Sequence, residues 1–473
     1  MNPFAQSPFI VIWETTRACA LACVHCRAEA VPRRDPDELT TEEGKRLIDR
    51  VAAFGSPPPI LVLTGGDPLR RLDIAALVAH GTRIGVPVSL TPSGTAAVTQ
   101  ERLATLKDAG LGRLAVSLDG ATAEAHDAFR GVRGSHRHTM RIVERARALG
   151  LSLQINTTVC KRTLDELPAL ARQMSELDIV LWALFFLISV GRAQADQALP
   201  ADEIETVLRW AAELGRHVPF AIKTTEAPHY HRILVQCAAR APRRSLPAHR
   251  PDGLGRAGRA VTDGNGFVFI DHVGNICPSG FLPMSTGNVR RDDLVTVYRE
   301  DPLFLALRDP SRLGGRCGRC EYREQCGGSR ARAWALTGDP LGEDPGCSYE
   351  PTAAMPKAVT AISGGSGAAP AVSDEQVLEA LGTVLDPELG MSVVELGLIY
   401  GIEIHHGAVA VTMTLTAPGC PIHDAMSDWA REAVMRVPGV EQVEVKITFD
   451  PPWTPDRIRL GSDNRRLLRG SSR

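Results

Sequence analysis

Cys19-Ala20-Leu21-Ala22-Cys23-Val24-His25-Cys26 follows closely on Phe9-Ile10-Val11-Ile12-Trp13-Glu14, a short run whose β-branched and aromatic residues read as a buried strand. Disulfide frameworks belong to short secreted chains, so three thiols at C-x3-C-x2-C spacing in a long chain point to metal. Soft thiolates favour iron–sulfur binding. Three of them can hold three irons of a cubane and leave the fourth without a protein ligand. A structural zinc loop is the competing reading. It needs a fourth ligand, and His25 sits too tightly between the cysteines to serve easily.

Outward from that loop, β-rich runs alternate with amphipathic stretches to about residue 220. Strands are expected at Phe9–Glu14, Ile60–Leu63, Val88–Leu90, Leu114–Leu118, Leu151–Thr157 and Val180–Ile188. Several are almost wholly apolar, as parallel strands covered on both faces must be. Helices are expected over Glu42–Phe54, Thr139–Leu149, Leu164–Leu177 and Ala201–Leu214, with Thr40 and Glu43 forming a capping box at the first. Six such units predict an α/β fold built on a partial (β/α)6 barrel, with chemistry at the strand C-termini. Residues 240–262 read as a long covering loop, and Phe267–Ile270 with Ile276 as a hairpin.

The expected domains are a barrel over 1–220, a small cysteine-rich domain over 221–355 and a flexible Pro/Ala/Gly/Ser linker over 356–372. A small α+β domain over 373–460 and a basic tail over 461–473 follow. In the C-terminal unit Ser373 is a helix cap, and strands at Ile399–Ile404, Val409–Leu415 and Val443–Phe449 flank a helix near Ala425–Val437.

Hydrophobic residues make up 44% and charged residues 23% of the 473, the profile of a soluble globular chain. A net charge of −2 calls for neither nucleic acid nor an acidic membrane surface. The longest apolar run, Ile179–Ile188, is too short to span a bilayer, and no export signal is visible, so the expected location is cytoplasmic.

The cysteine loop after the first strand resembles the radical S-adenosylmethionine (SAM) superfamily. That resemblance implies a 4Fe-4S cluster on Cys19, Cys23 and Cys26, with SAM chelating the unique iron and cleaved reductively to start hydrogen abstraction from an organic substrate. His25 occupies the place where the family usually has an aromatic residue near the adenine. Thr64-Gly65-Gly66-Asp67-Pro68 looks like the family's GGE motif, with Asp67 in place of the more common glutamate. Glycines there let the backbone approach a ligand closely. By the same resemblance Ser117, Asp119 and Asn156 at strand ends, and Arg130 in His126-Asp127-Ala128-Phe129-Arg130, are cofactor-binding residues. Taken singly, each polar residue is more often a cap or turn former.

Cys317, Cys320, Cys326 and Cys347 form C-x2-C-x5-C with a distant fourth cysteine; spacing leaves iron–sulfur and zinc both open. The arrangement is similar to the SPASM/Twitch-type extension of radical SAM enzymes, which implies one auxiliary 4Fe-4S cluster. Arg330 stands where a full SPASM domain has a cysteine, and Cys277 is read as a free thiol, with an extra cluster ligand as the alternative. The stretch Cys326–Leu336 with Gly338-Asp339-Pro340 most resembles the branch that includes haem d1 and alternative-haem biosynthesis proteins. His229, Tyr230 and His231 are read as facing either substrate or core.

The C-terminal unit resembles the PaaD/SufT-like iron–sulfur assembly family. The matching residues are Asp386-Pro387-Glu388, Glu395–Tyr400, Thr416-Ala417-Pro418-Gly419-Cys420-Pro421 and Pro451-Pro452-Trp453, with Cys420 as the assembly-domain thiol. Together these readings imply a radical SAM enzyme acting on a small molecule, a tetrapyrrole first, or on a peptide. They also imply a low-potential electron donor such as ferredoxin or flavodoxin. A maturation factor acting on an iron–sulfur client protein is the alternative.

Overall fold

The computed structural model describes residues 2, 4–240, 261–351, 372–382, 384, 392–405, 408–415, 423–440, 442–450, 453 and 457. The chain divides into two compact units, one comprising Met1–Ala239 with Gly258–Met355 and the other Pro356–Arg473. The expected loop at 240–262 (apart from its ends), nearly all of the linker, Asp386–Glu388, Thr416–Pro421, Pro451–Pro452 and the basic tail lie outside the described residues.

In the first unit, seven parallel strands pair in chain order: β1 Ile10–Glu14, β2 Ile60–Thr64, β3 Val88–Leu90, β4 Arg113–Ser117, β5 Leu153–Val159, β6 Leu181–Phe186 and β7 Ala221–Thr225. Register places Ile10 beside Ile60, Leu114 beside Leu153 and Leu181 beside Ala221. The six expected strands are all present. β7 was not among those six, and it carries the sheet past the barrel boundary expected at residue 220. On the other edge, β8 Phe267–Ile270 runs parallel to β1, and β9 Asn275–Cys277 and β10 Gly287–Asn288 complete ten strands.

Local chemistry explains these elements. The helix Thr41–Ala52 opens with Thr40 accepting the Glu43 N–H and Glu43 accepting the Thr40 N–H, a capping box as expected. Its Leu47, Ile48 and Val51 bury their side chains, each worth roughly 1.5–3 kcal/mol. Gly44 lets that helix close on the sheet, because a Cβ there would sit 2.5 Å from the Trp13 ring.

The cysteine-rich segment is welded to the barrel. Arg50 donates to the carbonyls of Val289 and Asp292 at 2.6 Å each, and Tyr298 Oη donates to the Phe4 carbonyl at 2.6 Å. Arg290 pairs with Glu43 at 2.8 Å, which holds the Glu43 carboxyl down at about 2.

The second unit has the expected α+β elements. Ser373 caps the helix Asp374–Leu381 through a capping box with Gln376. β11 Ile399–His405 pairs antiparallel with β12 Ala408–Met413, which pairs parallel with β13 Gln442–Ile447; the second helix is His423–Met435. Val377, Leu381, Val411, Met413, Met426 and Val434 form its core, and Trp453 closes it by donating to the Leu396 carbonyl at 2.8 Å. Among the described residues no helix is long and apolar enough to cross a membrane.

Candidate functional site

β1 delivers the chain to the rim of the sheet, where the cysteine loop crosses the strand ends. Thr15 Oγ1 donates to the Thr64 carbonyl at 2.9 Å, and Cys19 N–H donates to Val31 at 2.8 Å, so the loop is anchored on both sides. Along it Cys19, Leu21 and Cys23 point inward and are buried, whereas Ala20, Ala22 and Val24 are exposed. The sulfurs receive donors: Leu21 N–H to Cys19 at 3.3 Å, Ala30 N–H to Cys26 at 3.4 Å and the Arg130 guanidinium to Cys23 at 3.8 Å. N–H donors and a cation favour thiolate. Burial nevertheless pushes the Cys19 thiol up, with the Ser93 hydroxyl at 3.3 Å acting the other way; a bound metal would compensate.

Cys19, Cys23 and Cys26 line a cavity of ≈ 210 Å³ together with His25, Gly65 and Gly66. Ser117, Asn156 and Arg130 line it as well. The two glycines are obligatory in physical terms. A Cβ on Gly65, whose φ is +151°, would lie 2.3 Å from the Thr16 carbonyl oxygen. One on Gly66 would lie 2.6 Å from the carbonyl oxygens of Arg17 and Ala18. Gly66 N–H and Asp67 N–H donate to Thr16 and Ala18 at 2.7 Å, stitching this turn to the cysteine loop.

Asp67 and Asp119 do not reach the cavity. Asp67 is buried behind it, accepting the N–H groups of Leu69 at 3.2 Å and Ser93 at 3.4 Å, and burial raises its pKa. Asp119 accepts the Thr158 N–H at 2.7 Å and the Arg130 Nε–H at 2.6 Å. Burial pushes its carboxyl up, but Arg130 together with the neighbouring His25, His126 and Thr158 N–H outweighs it, and the net shift is downward. Both carboxylates orient groups on the wall. His25 is stacked on Phe129 at 4.1 Å and 13°, and burial lowers its pKa to about 3, so it presents a neutral flat ring. Sequence reading missed Ser93, Thr158, Phe185, Arg192 and Phe281 on this wall. Ser93 could have been found from its position just after β3, and Arg192 from the loop after β6.

Cys317, Cys320, Cys326 and Cys347 line a second cavity in the same unit, with His229, Arg232 and Tyr349. Burial raises the thiols of Cys320, Cys326 and Cys347, the last to about 11. Donors again face sulfur: Asp344 N–H to Cys317 at 3.4 Å and Tyr322 N–H to Cys320 at 3.4 Å. Among the described residues no three His, Cys, Asp or Glu side chains converge on a site for a single ion. Arg330 is buried and donates to the carbonyls of Pro340 at 3.0 Å and Gly342 at 2.6 Å. Cys277 lies on β9 in neither cavity, its thiol pushed up to about 12 by burial.

His229 and Tyr230 do not face the barrel cavity, which corrects the substrate-facing option. Both are buried, and His229 stands beside the second cysteine set with Nε2 at 3.0 Å from Asp344. His231 also lies off the barrel cavity. Asp344 is the hub of that region: it also accepts the N–H groups of Ser329 at 2.6 Å and Gly346 at 2.8 Å, and pairs with Arg332 at 3.1 Å. Burial opposes its ionisation, but Arg332 and His229 hold its carboxyl far below the usual range. Asp344→Asn leaves the buried Arg332 cation unpaired, and the expected loss is about 3–5 kcal/mol of stability. Chemical denaturation of cluster-loaded protein checks this; a loss under ~1 kcal/mol removes Asp344 from that role.

The fold and the cavity define a class that the comparisons name. Residues 13–174 match the radical SAM superfamily and residues 374–447 match the iron-sulfur cluster assembly protein family. The chain belongs to the radical SAM superfamily and is an enzyme of it, with the cluster assembly unit fused at its C-terminal end. An AdoMet-dependent heme synthase of Methanosarcina barkeri is 40% identical over 353 residues, covering 74% of this chain and 99% of that protein. One from Nitratidesulfovibrio vulgaris is 39% identical over 73% of this chain and 94% of its own length. A pre-heme d1 synthase of Dinoroseobacter shibae is 30% identical over 72% and 85%. The crystal structure of Streptococcus suis SuiB bound to S-adenosylmethionine shares the fold, at a TM-score of 0.57 and 14% identity over 73% of this chain and 78% of that one. The family's cofactors are a 4Fe-4S cluster and SAM, and the chemistry of the first cavity fits both: three thiols on one loop, beside a two-glycine turn packed so closely on that loop that neither glycine has room for a Cβ.

Proposed function

We propose that this chain modifies a carboxylated tetrapyrrole in haem-type cofactor biosynthesis. The reading is carried by one observation: three thiols, a two-glycine turn and Arg130 meet in one cavity of a chain alignable over 99% of a heme synthase. When bound, the cluster and SAM supply one-electron cleavage and hydrogen-atom abstraction. Cys19, Cys23 and Cys26 hold the cluster. The Gly65-Gly66 backbone, Ser117 and Asn156 take the polar end of SAM, and Asp119 fixes the Arg130 guanidinium. Neutral His25 offers a flat face, while Phe185, Leu187 and Phe281 keep water out. Cys317, Cys320, Cys326 and Cys347 hold one auxiliary 4Fe-4S cluster, and a low-potential carrier supplies electrons. Anaerobic, reduced protein is to be mixed with SAM and either iron-coproporphyrin III or an unrelated peptide. Deoxyadenosine release with a mass change in the porphyrin supports the reading; a mass change only in the peptide replaces it.

A second role is favoured by the C-terminal unit, whose match to an assembly family supports cluster loading of this chain or of a client. The two units fold around separate cores, so Cys420→Ala in the full chain is expected to leave deoxyadenosine release within about twofold once clusters are reconstituted. Loss of release together with loss of iron in a client would make the assembly unit the principal activity.

A further inference from the structure

Three guanidiniums line the barrel cavity, and two are already neutralised: Arg130 by Asp119, and Arg27 by Glu14 at 2.5 Å. Arg192 pairs with no acid among the described residues. Its backbone is held firmly, since Arg192 N–H donates to the Cys26 carbonyl at 3.0 Å. The preceding Gly191 has φ +63° and packs so tightly that a Cβ would lie 2.4 Å from the Arg27 carbonyl oxygen. Among the described residues the side chain makes one long contact, Nη1 to the Ala30 carbonyl at 3.4 Å, while Nε and Nη2 are buried with no acceptor. Buried N–H groups of a cation without an acceptor are costly, so the acceptor is expected to arrive with a ligand.

From this we infer that Arg192 is a carboxylate-binding group of the active cavity. A planar guanidinium offering adjacent Nε–H and Nη2–H matches the two oxygens of a carboxylate. The inference rests on the proposed function and deepens it by assigning a recognition element. Two carboxylates are in question, that of SAM and those of the organic substrate. Phe185, Leu187, Ile188 and Phe281 share the cavity wall with Arg192, and the first three come from the same β6 end and loop. An apolar wall beside an unpaired cation suits a flat apolar body bearing carboxylate arms, which points to the substrate.

The test pairs Arg192→Gln and Arg192→Lys in the full cluster-loaded chain with ligands that keep or lose the carboxylate. Porphyrin binding is read from the absorbance shift of coproporphyrin III and of its tetramethyl ester; SAM and decarboxylated SAM are titrated by the change in the cluster's electron paramagnetic resonance. In the wild type the free acid is expected to bind about tenfold to hundredfold more tightly than the ester. That preference disappears in Arg192→Gln and returns in part in Arg192→Lys. Loss of the preference for SAM over its decarboxylated form instead assigns Arg192 to the SAM carboxylate. If Arg192→Gln erases neither preference, or the wild type has neither, the inference is overturned. A wild type that shows the acid preference yet releases no deoxyadenosine overturns the proposed function and leaves this result standing.

Discussion

Cys23→Ala is expected to abolish deoxyadenosine release from SAM and to lower iron content by about half, four of eight irons if two cubanes are present. Cys23 is buried at 7% exposure in the middle of the loop, between the two other thiols and facing the Arg130 guanidinium. Removing it leaves two thiolates for three irons, and metal binding couples strongly to ligand number, so partial function is not expected. Electron transfer into SAM requires the cluster, which is why the effect on rate is far larger than any effect on folding. Cys277→Ala is the control, because that thiol is buried on β9 outside both cysteine cavities. Iron analysis with a deoxyadenosine assay decides the matter. Release by Cys23→Ala at a tenth of the wild-type rate or more would remove Cys19, Cys23 and Cys26 as the cluster-holding set.

Gly66→Ala has the second largest expected effect, a loss of about 100-fold in SAM cleavage. Its Cβ would meet the Arg17 and Ala18 carbonyl oxygens at 2.6 Å, and both are backbone atoms of the cysteine loop, with no flexible side chain to swing away. The turn or the loop must therefore move. Either shift breaks the 2.7 Å bonds from Gly66 N–H and Asp67 N–H that fix one against the other. Ser93 Oγ also donates to the Gly66 carbonyl at 2.7 Å, so the displacement reaches β3's end as well. Iron content separates the causes: cluster retained with weak SAM binding indicates a damaged ligand cradle, whereas cluster lost indicates a displaced loop. Turnover within tenfold of wild type would show that the stitch between turn and loop is dispensable.

Much of the architecture was legible before any coordinates. The strand at Ile60, the capping box at Thr40, the helix cap at Ser373 and the helix Ala201–Leu214 follow from local propensities and short-range hydrogen bonds. β7 has no place among the six expected strands because Ala-Ile-Lys-Thr-Thr is short, polar and only half-buried along its length, so it has no apolar signature of its own. Parallel pairing of β8 with β1 joins residues more than 250 positions apart, and no local pattern announces such a neighbour.

The site divides in the same way. Cysteine spacing, the Gly65-Gly66 pair and polar residues at strand ends are short-range features, and chelation or close backbone approach imposes them on the sequence directly. Which side chains face the cavity is a different matter, because it depends on strand register and on charges that meet only after folding. Asp119 turns inward to Arg130, Asp67 caps the turn behind the wall, and among the described residues Arg192 is left without an acid. The order of residues alone determined the class of chemistry, since ligands on one loop need few neighbours to declare themselves. Only tertiary structure decided who touches the ligand and who positions those that do, because burial and pairing are properties of distant segments brought together.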